Sequence, residues 1–142
     1  MEKIKRVKLK SGAELYFVIN EKYTTSTVQF AFPIGWRHDT DKYLGLAHFF
    51  EHLVGKRTNN FPGKTEITRF LEKEGIISNA YTSSDLTCYH HSNSHKKLIF
   101  SLEKLLEAVY FSKFLEEDLT MEKEVVMTEA RQNLAKVVPG KI

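Results

Sequence analysis

Between Ile34 and Tyr43 the apolar rhythm of this chain changes. Val28, Phe30, Phe32 and Ile34 recur at every second residue, the period of a strand with one buried face, whereas Tyr43 to Lys56 follows a helical period. A chain that switches in this way lays helices on a sheet, because each amphipathic element needs an apolar partner face. The switching continues on both sides. Val7 and Leu9 alternate with lysines up to a Ser11-Gly12 turn, and Leu15 to Ile19 is a short apolar run, so strands come first. After the first helix, Thr58 to Gly63 has turn chemistry, and a second helix is predicted over about Lys64 to Glu74, with Ile67, Phe70 and Leu71 on one face and Gly75 as its cap. Ile76 to Thr82 and Leu86 to His91 predict an antiparallel pair. Ser94 then precedes a helix with Leu98, Ile99, Leu102, Leu105, Leu106 and Val109 inward, and a last helix is predicted over about Leu119 to Leu134, ahead of Pro139-Gly140. The expected class is α+β, with helices covering an antiparallel or mixed sheet. A length of 142 residues allows one domain with a real core and is too short for two.

The helix at Tyr43 to Lys56 carries His48, Glu51 and His52 among Leu, Ala, Phe and Val. Relative to His48, Glu51 lies about 60° to one side and His52 about 40° to the other, while Ala47, Phe49, Phe50, Leu53 and Val54 fill the opposite arc. With its apolar arc buried, the narrow polar face lines a cleft, where imidazole and carboxylate need partners or a metal. Two histidines one turn apart reach one cation, with the carboxylate between them placed to take a proton from water; His-x-x-Glu-His is the inverted zinc-protease pattern. Zinc needs a third protein ligand. The last helix offers two, Glu122 and Glu129, seven residues and about 20° apart, with Val125 and Val126 read as a buried patch between them.

GLAHFFEHLVGKRT, EGIISNAYTSSDLTCY and MEKEVVMTEARQ together resemble, in order and spacing, the signature segments of the pitrilysin/insulinase family of zinc peptidases, which includes mitochondrial processing peptidase. The resemblance covers about Leu15 to Asn133. It implies Zn2+ held by His48, His52 and Glu129, with Glu51 as general base and Glu122 as a carboxylate behind the ligands. It implies that Asn79 and Ala80 lie on a strand that pairs with an extended peptide, a mode that uses backbone groups more than side chains. It also implies a homologous domain or second subunit that completes the site, so residues 1–142 are expected to be the N-terminal, zinc-bearing part of a peptidase domain that continues further. One local departure is Gly55-Lys56-Arg57-Thr58, where members of the family usually have Phe-Lys-Gly-Thr.

Other readings compete. A noncatalytic peptide-binding homologue would not need the full set of His48, Glu51, His52 and Glu129. The S-ribosylhomocysteine lyases also carry His-x-x-Glu-His and add a cysteine, but theirs follows much later than Cys88 does here, and the Leu86-Cys88-His90 alternation reads as core. His90, His91 and His95 read as a solvated strand-to-helix turn rather than a second metal site. The net charge of +3 is small, and Lys and Arg are scattered, which gives no support for a nucleic-acid or membrane partner. A single cysteine and an N-terminus without an apolar run lead to an expectation of a cytoplasmic setting.

Overall fold

The computed structural model describes residues 4–137. Pro139-Gly140 lies outside them. The elements in chain order are β1 (Lys5–Lys8), β2 (Glu14–Phe17), β3 (Thr25–Phe32), α1 (Leu46–Leu53), α2 (Glu66–Lys73), β4 (Ile77–Thr82), β5 (Thr87–Ser94), α3 (Leu98–Tyr110) and α4 (Glu116–Val137). β1 and β2 form a separate hairpin in which Lys5 opposes Phe17. The main sheet has the order β3-β5-β4, and among the described residues both of its pairings are antiparallel. Its central strand, β5, has Ala31 and Tyr81 on either side of Cys88. β4 lies at the edge.

α3 packs on β3 and β5, α2 on β4, and α1 on β4, β5 and α4. Two apolar clusters hold this arrangement. Ile67, Leu71, Ile76 and Ala108 join α2 to α3, with Phe61 and Phe100 against them; Val28, Tyr89 and Leu105 join the sheet to α3. Removing such surface from water is the main favourable term in folding, worth roughly 25 cal/mol per Å2.

Several periodicity readings need correction. Leu98 and Ile99 are exposed, not inward. The buried stripe of α3 is Ser101, Leu105 and Ala108, whose two small residues let the helix lie close to the sheet and turn position 99 outward. α1 is shorter than its apolar pattern: Gly45, at φ 85°, sets its start, Asp39 accepts from the Gly45 and Ala47 N–H groups at 2.8 and 3.0 Å, and Val54 is already extended. Phe50, read as buried, is half exposed and stacks on Phe114 at 5.5 Å. On α4 the deeply buried residues are Asp118 and Glu122, while Val125 is exposed; the inward stripe is ionic because cations from the segment after α1 face it. The histidine reading fails at His91, which is buried on β5.

Candidate metal centre

α1 and α4 pack side by side, and that contact assembles the site. His48 Nε2 and His52 Nε2, one turn apart on α1, are 3.2 Å from each other. From α4, Glu129 Oε2 comes within 3.6 Å of the first and 3.5 Å of the second. One ligand atom from each residue lies within 4.8 Å of the others, the one such group among the described residues. The spacing fits zinc: bonds of about 2.0–2.2 Å at tetrahedral angles put nitrogen and oxygen ligands about 3.3–3.5 Å apart.

Glu122, one turn before Val126 on the same helix, does different work. Its Oε2 lies 3.3 Å from His52 Nδ1, and its Oε1 meets Lys56 Nζ at 3.0 Å and Lys64 Nζ at 3.1 Å. Burial pushes this carboxyl up, but the hydrogen bonds from Lys56 and Lys64, with their charge and the His52 contact, outweigh it and hold it below the usual carboxylate range. An ionised carboxylate only accepts, so His52 Nδ1 donates to Glu122 and Nε2 keeps its lone pair facing Glu129 and His48. The resemblance implies Glu122 as a carboxylate behind the ligands; in the fold it meets His52 Nδ1, while Glu129 meets Nε2 of the same ring.

Glu51 lies on α1 between the two histidines, and its Oε2 accepts a 2.5 Å hydrogen bond from Thr82 Oγ1 on β4. Asn79 and Ala80 sit on the same strand, which pairs with β5 on one side and has no strand on the other among the described residues. The Ala80 N–H is met by the Asn79 Oδ1 at 2.9 Å, so this exposed edge partly satisfies itself. Tyr89, buried beneath, has its hydroxyl pKa pushed well up, by burial first and by the Glu51 charge second.

The departure at Gly55-Lys56-Arg57-Thr58 is absorbed as one tie to α4. Gly55 adopts φ 78° and donates to Ser112 Oγ at 2.7 Å, Lys56 reaches Glu122, and Arg57 meets Asp118 Oδ2 at 2.6 Å and Glu117 Oε1 at 2.5 Å. Lys56, Lys64 and Thr82 were missed as parts of the site. Lysines beside turns look like solvated charge, and only the fold brings them to Glu122. Cys88 is buried in β5 and does not belong to the metal-capable group. His95 is exposed and its Nδ1 lies 2.9 Å from Thr24 O.

The model of the insulinase family, peptidase family M16, matches residues 16–139. The chain belongs to that family. It is 32% identical to zinc protease PqqE of Helicobacter pylori over 132 residues, covering 92% of this chain and 30% of that protein. The crystal structure of a protease from Helicobacter pylori superposes with a TM-score of 0.85 at 31% identity, over 93% of this chain and 32% of the other. Pitrilysin, at 20% identity, shares the fold with a TM-score of 0.81 over 93% of this chain and 14% of its own. The α+β expectation and the family resemblance are thereby borne out. The chain spans between 9% and 31% of the length of the first curated relatives it matches.

Proposed function

We propose that this chain carries the zinc-binding part of a metalloendopeptidase. The supporting observation is the convergence of His48 Nε2, His52 Nε2 and Glu129 Oε2 at ligand spacing, with Glu51 on the same turn of α1. Bound there, zinc would supply Lewis-acid polarisation of the scissile carbonyl and lower the pKa of water. Glu51 takes the proton of the attacking water and passes it to the leaving amine. Thr82 holds the Glu51 carboxylate against β4, beside Asn79 and Ala80, where an extended peptide would add as a further strand and displace the Asn79 side chain from the Ala80 N–H. Glu122 fixes the His52 ring. His48 and Glu129 are over a third exposed at their side chains, so the ligand face is open to water. A homologous domain or second subunit closing over this face would exclude that water and hold the peptide, and without it hydrolysis should be slow.

The test is metal analysis and peptide hydrolysis on the same preparations. Glu51→Gln should keep its zinc and lose hydrolysis by about 10²–10⁴-fold. Undiminished hydrolysis by Glu51→Gln would remove Glu51 from its role.

A further inference from the structure

None of the metal-capable residues borders the recess of about 500 Å3 that α2 forms with the turn before it. Sites for small ligands run from about 300 to 1,000 Å3, so this one is large enough to hold a side chain and its backbone. Counted from Glu66, the helix positions Arg69, Phe70 and Lys73 fall with it inside an arc of about 100°, and the four side chains share one wall. Phe61, from the turn, stacks on Phe70 with ring centroids 5.0 Å apart. Lys104 Nζ sits over both rings, 5.3 and 5.9 Å from their centroids, but does not border the recess, so the rings present another side to it.

The charges around these rings are unevenly used. Lys64 is committed to Glu122, and Glu66 Oε2 accepts from the Gly63 N–H at 2.9 Å, which leaves Glu66 Oε1 as a spare acceptor. Arg69 and Lys73 are exposed, and neither has a side-chain hydrogen bond or ion pair among the described residues. Lys73, in the last turn, suits the negative end of the helix dipole. Arg69 has no such return, and two cations one turn apart destabilise a helix. An anion between them reverses that cost. A guanidinium fork matches a carboxylate at two points, which an ammonium alone does not.

We propose that this recess captures the C-terminal residue of a polypeptide, with its carboxylate between Arg69 and Lys73, its N–H on Glu66 and an apolar last side chain on Phe61 and Phe70. Charge complementarity names the carboxylate. Glu66 names what stands beside it, because a carboxylate next to an anion site repels the ligand unless the neighbouring group of that ligand donates. The last residue of a chain carries carboxylate and N–H on one α-carbon, whereas an internal Asp or Glu holds its carboxylate away from the backbone. Capture of a chain end by its carboxylate is a known mode of peptide recognition. Single-stranded nucleic acid also uses cations and rings, but it needs a basic groove that tracks its backbone, and here two free cations stand on one helical turn beside Glu66. The capture uses none of His48, Glu51, His52 and Glu129, so it goes beyond the peptidase reading and does not depend on it.

The test is a titration of the whole nitrogen-15 labelled chain, with a chelator present so that no peptide is cut, followed through its backbone amide resonances. The probe is the peptide Gly-Gly-Ser-Gly-Phe as free acid and as C-terminal amide. The free acid should shift the amides of α2 and of the turn at 61–65 and bind about tenfold tighter than the amide, the effect of hydrogen bonds to a charged group. Replacing the last Phe of the probe by Gly should weaken the free acid about tenfold, through the apolar surface no longer buried. In Arg69→Gln the free acid should lose its advantage over the amide, and Arg69→Lys should recover part of it; Arg69 is exposed, so both variants should keep the fold. Equal binding of acid and amide, equal binding of the Phe and Gly probes, or shifts confined to other parts of the chain would each overturn the proposal. A short oligothymidylate that moves the same resonances at lower concentration than the free acid would also overturn it and make the recess a nucleic-acid site. Selectivity for the free acid in a chain that, once loaded with zinc, hydrolyses no peptide would support the capture and overturn the peptidase reading alone.

Discussion

Two polar clusters lie on either side of the segment from Gly55 to Thr65, and they are built by opposite rules. In one, donors and acceptors match: Thr58 Oγ1 and Asn60 Nδ2 donate to Glu107 Oε1 at 2.8 and 2.9 Å, Lys104 Nζ meets Glu107 Oε2 at 2.8 Å, and Arg57 grips Asp118. In the other, His48, His52 and Glu129 turn ligand-capable nitrogen and oxygen atoms toward one point, and the Nδ1 proton of His52 is committed to Glu122. A matched network spends its polarity on holding a loop and a helix together. A set of such converging atoms contributes little to that and is suited to a cation. On the proposed reading the difference separates structural polarity from a site, and the two clusters are expected to respond to mutation differently: in metal affinity on one side, in stability on the other.

The sharpest way to break the comparison is His52→Ala. Loss of one of three protein ligands should reduce zinc affinity on the order of a thousandfold, taking a few of the roughly 10–16 kcal/mol seen for well-formed zinc sites. The unfolding midpoint of the metal-free chain should change little. Zinc titration and denaturant unfolding on the same sample check both halves; a large loss of stability with zinc retained would put His52 in the structural class. Glu122→Gln should be next. It keeps the ligands and loosens their orientation, for which losses of about 10–100-fold in affinity or activity are usual. Glu129→Gln should weaken binding more. If Glu122→Gln lost zinc and Glu129→Gln kept it, the two roles would be exchanged.

Much of this was legible in the chain. The alternation at Val28, Phe30 and Phe32 does mark a strand, and the helical spacing of His48, His52, Glu122 and Glu129 does bring those side chains together, because period fixes which residues share a face. What periodicity misjudged was depth. Ile99, Phe50 and Val125 are large and apolar, yet they lie outside, while Ser101, Asp118 and His91 lie inside. Apolar residues are common on surfaces, so size and hydropathy alone do not locate the buried stripe. Asp118 and Glu122 are buried because Arg57, Lys56 and Lys64 face them across 58 to 66 residues of chain, a pairing that no local pattern announces. The same holds for Thr82 on Glu51, since a threonine in a strand looks like any other.

Across the loop, Thr58→Val tests the matched network. Thr58 is fully buried, donates to Glu107 and accepts from the Phe61 N–H at 3.2 Å, so a side chain of equal shape removes two hydrogen bonds and leaves their partners dry. The expected cost is about 1–3 kcal/mol of stability, with zinc affinity unchanged. Thermal or urea unfolding gives the first number and zinc titration the second. A variant that unfolds normally and loses metal would mean that the two clusters are one.

The smallest expected effect is the pH dependence of that cost. Burial pushes the Glu107 carboxyl up, but hydrogen bonds from Lys104, Thr58 and Asn60 and the charge of Lys104 outweigh it and leave it below the usual carboxylate range. A carboxyl depressed in the folded state contributes stability that is present above its unfolded pKa and is lost as pH falls through the lower folded value. His91 acts at higher pH. Burial lowers its pKa, so the unfolded chain binds a proton there first, and stability declines as pH falls below about 6.5. Thr58→Val removes one of the three donors on Glu107 and leaves His91 alone. The gap in stability between Thr58→Val and the unaltered chain should therefore stay constant from neutral pH through the histidine range, then narrow as the carboxyl protonates. Urea midpoints with a chelator present, taken at intervals from pH 7 to about pH 3, would show where the narrowing begins. A gap that closed already in the histidine range would tie the loop to His91 instead of Glu107.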